Sequence, residues 1–280
     1  MAFKDILLLL ITYPEPSDAS AVQEAVSFAA SLGARISAVA CIVKVWAPHH
    51  AFSDAFMDIP ALVESEMKKS SDTAGELMAA FEDCAKRAEV FQESLTKSCL
   101  ASDAPGLLMQ EARVRDLTIV PAVLKGHNYR WYAETIIFGS GRPVLILPPR
   151  RIREHTLGNV VIAWDGSRPA ARAVADSLLL LERAREVRIV TVLNEKELSS
   201  ESPAVELSRY LGRRGIAAKL DSIDAAGRQI GEVLSSYLAS NKADLLVMGA
   251  YGHSRVREFI LGGATLSMIS NPPVPILLSH

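Results

Sequence analysis

The residues with the clearest potential for chemistry are glycines near the C-terminal end of the sequence. Gly249 and Gly252 follow the apolar run Leu245–Met248, and nine residues separate Gly252 from the pair Gly262-Gly263. Glycine lets backbone N–H groups approach a ligand closely. A glycine loop that leads into a helix N-terminus favours an anion, because free N–H groups and the helix dipole converge there. The pattern therefore predicts a site for a nucleotide phosphate.

The elements that must position this loop occur twice in the chain. Each half begins with an apolar run that ends near a proline, continues with a helical pattern, and later contains a run that opens with an aspartate. The aspartate runs align without a gap, which indicates an internal repeat. The matching segments are 4–13 with 158–167, and Asp116–Pro121 with Asp244–Gly249.

The repeat predicts two domains, 1–150 and 156–280, joined by the proline- and arginine-rich linker at 148–151. Apolar strands that alternate with helices predict a parallel sheet covered on both faces. In the second half, the helix after the first strand is predicted to bury Ala171, Val174, Leu178 and Leu181, which share one face at helical spacing.

Ligands of such sheets bind beyond the carboxyl ends of the strands, at the point where the strand order reverses. Asp165 follows the first strand of the second half, and Gly249 follows its fourth. If those strands are neighbours, the two residues face one crevice. The other interpretation of Asp165 is an Asx-turn with residues 166–167 at a helix N-terminus.

Composition narrows the function classes. The chain has 280 residues, a net charge of −2 and 22% charged residues, so no overall basic field favours nucleic acid. No apolar run reaches the ~18 residues that a membrane span requires. The three cysteines show no C-x-x-C pairing, which predicts reduced thiols and a cytoplasmic protein. Adjacent His49 and His50 lack further ligands, so no metal site is predicted.

Enzyme signatures are missing from the sequence. It contains no G-x-x-x-x-G-K-[ST] loop, no G-x-S-x-G elbow and no G-x-G-x-x-G fingerprint, which leaves a P-loop enzyme, an α/β-hydrolase and a dinucleotide enzyme unsupported. No nucleophile can be paired with a base. We therefore predict no catalytic residues.

These features together resemble the universal stress protein family, whose pattern after the fourth strand is G-x2-G-x9-G-[ST]. Gly249, Gly252 and Gly262 match it in register, and the tandem halves resemble the two-domain members. The resemblance implies an α/β fold of two tandem Rossmann-like (adenine nucleotide alpha hydrolase-like) domains, each with a five-stranded parallel sheet of order 3-2-1-4-5. It also implies that ATP or another adenine nucleotide, with or without Mg²⁺, binds in the crevice.

The resemblance implies roles for individual residues of the second half. Asp165 would contact the adenosine part, Val192 would line the adenine pocket, and Met248 and Gly249 would lie beside the ribose. For His253, hydrogen bonding to phosphate and a solvated loop position are equally open. The residues expected around the phosphates are Gly252, Gly262, Gly263, Ala264 and Thr265.

Two departures from the family pattern stand out. Gly263 replaces the hydroxyl residue that follows the third glycine, so a side-chain donor is lost, and Thr265 is its candidate replacement. The first half departs further, because Pro121 occupies the position of Gly249 and has no N–H group. Its first strand ends at Thr12 rather than at an acid. The first half is therefore interpreted as a degenerate copy without a nucleotide site.

Three functions remain open. The first is a stress-response regulatory protein that binds an adenine nucleotide in its C-terminal domain. The second is a structural or interaction protein whose nucleotide site has decayed, as Gly263 suggests. The third is a slow ATPase.

The last strands of the halves, 143–147 and 274–278, are short and apolar, so each is expected at a sheet edge. Exposed apolar edges are normally covered. We expect the two strands to pair antiparallel and to join the halves in an intramolecular pseudo-dimer, as in many members of the family that the chain resembles.

Overall fold

The computed structural model describes residues 3–44, 59–123, 128–149, 157–193, 203–250 and 263–280. The chain divides into two compact units, one of residues Lys4–Ser140 and one of residues Gly141–His280 together with Phe3. In both units, helices alternate with strands along the chain. The predicted α/β fold is confirmed.

In the first unit, four parallel strands lie in the order β3-β2-β1-β4. The central strand β1 is an unbroken apolar run whose residues Ile6–Leu10 are fully buried, as expected when helices cover both faces of a parallel sheet. The strands are β1 (Asp5–Leu10), β2 (Arg35–Lys44), β3 (Phe91–Leu100) and β4 (Leu117–Pro121), and the helices are α1 (Ala19–Leu32), α2 (Ile59–Arg87), α3 (Ala104–Ala112) and α4 (Asn128–Gly139).

In the second unit, six strands lie in the order β5-β10-β9-β6-β7-β8. Five of them belong to the second repeat and are parallel, in the order 3-2-1-4-5 that the family resemblance implies. The strands are β5 (Val144–Leu147), β6 (Asn159–Ala163), β7 (Glu186–Leu193), β8 (Ala218–Asp224), β9 (Leu245–Gly249) and β10 (Ile276–Ser279), and the helices are α5 (Arg168–Arg183), α6 (Pro203–Gly212), α7 (Ile230–Ser240) and α8 (Gly263–Ser270).

The sixth strand, β5, pairs antiparallel with β10, with Leu145 opposite Leu277. By sequence β5 lies in the first repeat, yet the compact units divide between Ser140 and Gly141, so β5 belongs to the second unit. The antiparallel pairing expected of these two strands is present, and it covers one edge of β10. The pseudo-dimer of the two halves stays a prediction.

In both repeats, an aspartate at the equivalent position joins the beginnings of the first and fourth strands at the amino edge of the sheet. In the first, Oδ2 of Asp116 accepts hydrogen bonds from the N–H groups of Lys4 and Asp5, at 2.8 and 3.0 Å. In the second, Oδ2 of Asp244 accepts one from the N–H of Asn159, at 2.7 Å. The N–H groups of the two aspartates in turn donate to the carbonyls of Asp5 and Asn159, at 2.9 and 2.8 Å. We call this arrangement the aspartate clasp, and it sets the register between the first and fourth strands of each repeat.

The buried face of α5 differs from the predicted one. Val174 and Leu181 are buried as expected, but Ala171 is exposed and Leu178 is only half-buried. Ala170 and Ala173 are buried instead. The face is shifted because the first turn of α5 packs directly on the end of β9.

The described residues contain neither a membrane-spanning helix nor a cluster of metal ligands. Among them, no helix is both long and apolar enough to cross a membrane. Within the same residues, no group of three or more His, Cys, Asp or Glu side chains could hold a metal ion. His49 and His50 lie outside the described residues.

Residues 156–280 expressed alone are expected to self-associate, because they lack β5 and so expose the backbone of β10. Sedimentation analysis should show a mass that rises with concentration. The matched control is residues 141–280, in which β5 is retained and amide hydrogen exchange of Leu278, which pairs with Val144 of β5, should be slower. A monomeric 156–280 with the same exchange at Leu278 would contradict this expectation.

Candidate functional site

Three strand ends meet at the carboxyl edge of the second unit. β6 lies between β9 and β7, with Ala163 opposite Met248 on one side and Val190 on the other. Asp165, Val192 and Gly249 therefore lie at the same edge of the sheet, and the strand order reverses between β6 and β9. The expectation that the strands of Asp165 and Gly249 are neighbours is confirmed.

Asp165 is exposed and stabilises the turn that begins α5. Its Oδ1 accepts a hydrogen bond from the N–H of Ser167 at 2.9 Å, across Gly166, which has a φ of 72°. The hydroxyl of Ser167 then accepts from the N–H of Ala170 at 3.2 Å and caps the helix. The Asx-turn interpretation therefore holds, and contact between the Asp165 carboxylate and a ligand stays a prediction.

Gly249 has a packing role that does not depend on any ligand. A Cβ atom at this position would lie 2.3 Å from the backbone nitrogen of Ala170 and 2.7 Å from the carbonyl carbon of Pro169. These are backbone atoms of the first turn of α5, so they cannot swing aside. The glycine is required because the helix begins directly on the strand end.

The N-terminus of α8 holds the second group of predicted residues. Gly263 is exposed, and a Cβ there would meet no heavy atom within 4 Å. Ala264 is half-buried, whereas Thr265 is buried, at 4% exposure, on the helix face of Met268 and Ile269. Packing therefore does not explain the missing hydroxyl residue at position 263, and the Thr265 side chain faces the core.

The remaining predicted residues fall into two groups. Met248 is buried and Val192 is half-buried, at the ends of β9 and β7. Gly252, His253 and Gly262 lie outside the described residues.

Two polar atoms at this edge were not foreseen from the sequence. The indole Nε1 of Trp164 and the hydroxyl of Thr191 are buried and have no hydrogen-bond partner among the described residues. Buried polar groups are nearly always paired, so these two atoms indicate unfilled bonding capacity at the carboxyl edge. Their position in the sequence could have indicated them, because Trp164 immediately precedes Asp165 and Thr191 immediately precedes Val192, and both of these are predicted site residues.

A cationic cavity flanks the same edge on the side of α5. It has a volume of about 460 Å³, and the described residues that line it are Arg168, Pro169, Arg172 and His280. Nε of Arg172 lies 2.8 Å from Oδ2 of Asp176, and Nδ1 of His280 lies 3.1 Å from the carbonyl oxygen of Ala250. The site therefore places positive charge near the point where the glycine loop leaves β9.

The equivalent edge of the first unit carries different residues. Counting from the aspartate clasp, the position of Asp165 is taken by Ile11, which is 2% exposed. The N–H groups of Arg35 and Glu186 donate to equivalent carbonyls at the start of the first strand of each repeat. Counting from these two residues, Cys41 occupies the position of Val192, and it is 3% exposed. Burial, together with a hydrogen bond to Cys99, raises the pKa of Cys41 well above its usual range, so Cys41 remains a neutral thiol.

Side chains also close this edge in the first unit. The hydroxyl of Thr12 donates to the carbonyl of Cys41 and lies 3.0 Å from the hydroxyl oxygen of Ser70. Ser70, on α2, is fully buried and accepts a hydrogen bond from the N–H of Val43 at 2.9 Å. The ends of β1 and β2 are thus satisfied by the protein itself.

Comparison with known proteins gives matches to one family. Residues 156–280 match the model of the universal stress protein family. Universal stress protein Slr1230 of Synechocystis is 26% identical over 147 residues, which are 51% of this chain and 49% of that protein. The chain thus spans about half the length of this curated relative.

Two solved structures of universal stress proteins are similar to this chain, and the first shows the same fold over nearly its whole length. A universal stress protein from Archaeoglobus fulgidus is 15% identical and aligns with a TM-score of 0.71 over 98% of this chain and 96% of its own. A universal stress protein solved in complex with cAMP is 22% identical and aligns with a TM-score of 0.33 over 44% of this chain and 96% of its own. Residues 156–280 of this chain thus form a domain of the universal stress protein family.

Proposed function

We propose that the second half of the chain binds one adenine nucleotide at the carboxyl edge of its sheet, and that the ligand regulates the protein in a stress response. The observation that carries the proposal is the meeting of three strand ends, which brings Asp165, Val192 and Gly249 to the reversal point of the strand order. Ligands of open α/β sheets bind at such points. The unpaired polar atoms of Trp164 and Thr191 support a ligand at the same edge.

The nucleotide is assigned to the second half alone. The first half offers buried Ile11 and Cys41 where the second offers exposed Asp165 and half-buried Val192. Ser70 and Thr12 already use the bonding groups at the strand ends. Pro121 has no N–H group to donate where Gly249 has one.

Calorimetric titration of the full chain with ATP, ADP and AMP, with and without Mg²⁺, tests the proposal. The expected stoichiometry is one nucleotide per chain. The variant Asp165→Asn should weaken binding while keeping the turn, because the amide oxygen can still accept from Ser167. Two equivalent sites per chain, or no binding of any adenine nucleotide, would overturn the proposal.

The second candidate is a structural or interaction protein whose site has decayed, and Gly263 is the observation that favours it. The two candidates differ in the purified protein. A binding protein should retain an adenine nucleotide through purification, whereas a decayed site should not. Measurement of phosphate release from ATP would reveal the third function, a slow ATPase.

Restoring the missing hydroxyl should strengthen binding. The variant Gly263→Ser has room for its side chain and places a donor at the N-terminus of α8. A hydrogen bond to a charged phosphate is worth roughly 1.5 kcal/mol, so the dissociation constant for ATP should fall by about tenfold. Gly263→Ala is the matched control, since it adds the Cβ without the hydroxyl. Equal affinities of the serine and alanine variants would count against a phosphate at this helix.

A further inference from the structure

The second unit has a groove at the opposite edge of its sheet from the proposed nucleotide site. The groove has a volume of about 390 Å³ and lies where α5 ends, where β7 begins and where the chain enters β8. We call it the amino-edge groove. Its lining includes the apolar residues Leu181, Val187 and Ile216 and the charged residues Glu182, Arg185 and Arg214, which form its rim.

The accessible surface of the groove is mainly polar and carries two cationic side chains. The apolar residues at its base are buried in the core. Arg185 and Arg214 are exposed, and neither forms an ion pair with a described residue. The guanidinium of Arg214 is held 5.1 Å from the ring centroid of Tyr210, a cation–π contact that orders the side chain without neutralising its charge.

The backbone of the rim offers little to a phosphate group. The N–H groups of Arg214, Gly215 and Ile216 all donate to carbonyl oxygens of the preceding turn, at 2.9, 3.0 and 3.1 Å. A phosphate nest needs several free N–H groups that converge. The donors of the groove are therefore the arginine side chains, whose planar forks fit carboxylates in two parallel hydrogen bonds.

The distribution of charge favours an acidic partner for this unit. Residues 141–280 contain 18 Lys and Arg against 14 Asp and Glu, whereas residues 1–140 contain 12 against 18. Glu182 on the rim disfavours a nucleic acid backbone, because its carboxylate repels closely spaced phosphates. Separate carboxylates on a peptide can avoid Glu182 and still reach both arginines.

We propose that the amino-edge groove binds an acidic peptide segment of a protein partner, with carboxylates of the segment on Arg185 and Arg214. The groove and the proposed nucleotide site lie at opposite edges of the sheet. The proposal therefore stands whether or not the protein binds a nucleotide.

Fluorescence anisotropy with the full chain and a labelled peptide of alternating Glu and Leu tests the proposal. Arg185→Gln and Arg214→Gln should each weaken binding at least tenfold, because each removes a carboxylate partner. Both arginines are exposed, so the variants should fold, which circular dichroism can verify. Arg209→Gln is the matched control, since Arg209 is an exposed arginine of α6 that pairs with Glu206 outside the groove. Its affinity should stay unchanged.

Comparison with other ligands shows whether the groove prefers carboxylates on a peptide to phosphate groups. A peptide of alternating Gln and Leu should bind at least tenfold more weakly than the Glu peptide. Displacement of the Glu peptide by millimolar inorganic phosphate, or tighter binding of a single-stranded oligonucleotide, would overturn the proposal in favour of a phosphate ligand. Equal loss of affinity in all three arginine variants would also overturn it, because binding would then follow overall charge.

Discussion

Gly249→Ala is expected to lower the free energy of unfolding by about 3 kcal/mol, the upper end of the usual cost of overpacking. The added methyl group would lie 2.3 Å from the backbone nitrogen of Ala170, and the first turn of α5 would have to move away from β9. That movement would separate the turn of Asp165 from the strand end that it faces. Urea denaturation followed by circular dichroism measures the change.

Gly263→Ala is the matched control for this prediction. A Cβ at Gly263 meets no heavy atom within 4 Å, and alanine favours a helix over glycine, so stability should stay the same or rise by up to about 1 kcal/mol. If the two alanine variants had equal stability, the contact between α5 and the end of β9 would be looser than described.

Arg115→Met is expected to lower the free energy of unfolding by about 2 kcal/mol, because it removes charge-assisted hydrogen bonds between a buried guanidinium and two partly exposed carboxylates. Arg115 is 8% exposed, and its Nη1 lies 3.0 Å from Oδ2 of Asp5, while its Nη2 pairs with Glu93. These contacts join β1, β3 and the turn before β4. Methionine would leave two carboxylates without their shared cation. Thermal and urea unfolding should both report the loss.

The surface pair of Arg87 and Asp83 provides the control. Both side chains are more than 60% exposed, so Arg87→Met should change the free energy of unfolding by no more than about 0.5 kcal/mol. A similar small effect in Arg115→Met would show that water replaces the guanidinium at no cost. The strands would then be held by backbone pairing alone.

The strand order of the second half and the meeting of Asp165 with Gly249 could be predicted, because both follow from apolar runs, the repeat and the family pattern. The role of Gly249 in packing could not, since it depends on where α5 begins relative to β9. The same contact explains the shifted face of α5, on which Ala170 rather than Ala171 is buried. Periodicity identifies a helix face only to within about a residue.

The sequence predicts only in part that side chains close the carboxyl edge of the first unit. Pro121 and Thr12 indicated a degenerate copy, but nothing in the sequence connects Thr12 with Ser70, which lies 58 positions away on another element. A serine within a long helix usually bonds its own helix or water. Only the packing of α2 against β2 shows that Ser70 reaches the ends of two strands.

The aspartate clasp makes the two repeats exchangeable scaffolds for protein engineering. Because Asp116 and Asp244 fix the same register, residue 11 of the first repeat occupies the geometric position of residue 165, and residue 41 that of residue 192. Substitutions such as Ile11→Asn, Cys41→Val and Ser70→Ala would therefore keep the strand register, at a cost in stability because Ile11 and Ser70 are buried. The first unit can therefore serve as a template that starts without a nucleotide site. Adding substitutions to it one at a time would show the minimum number of residues needed to hold a nucleotide.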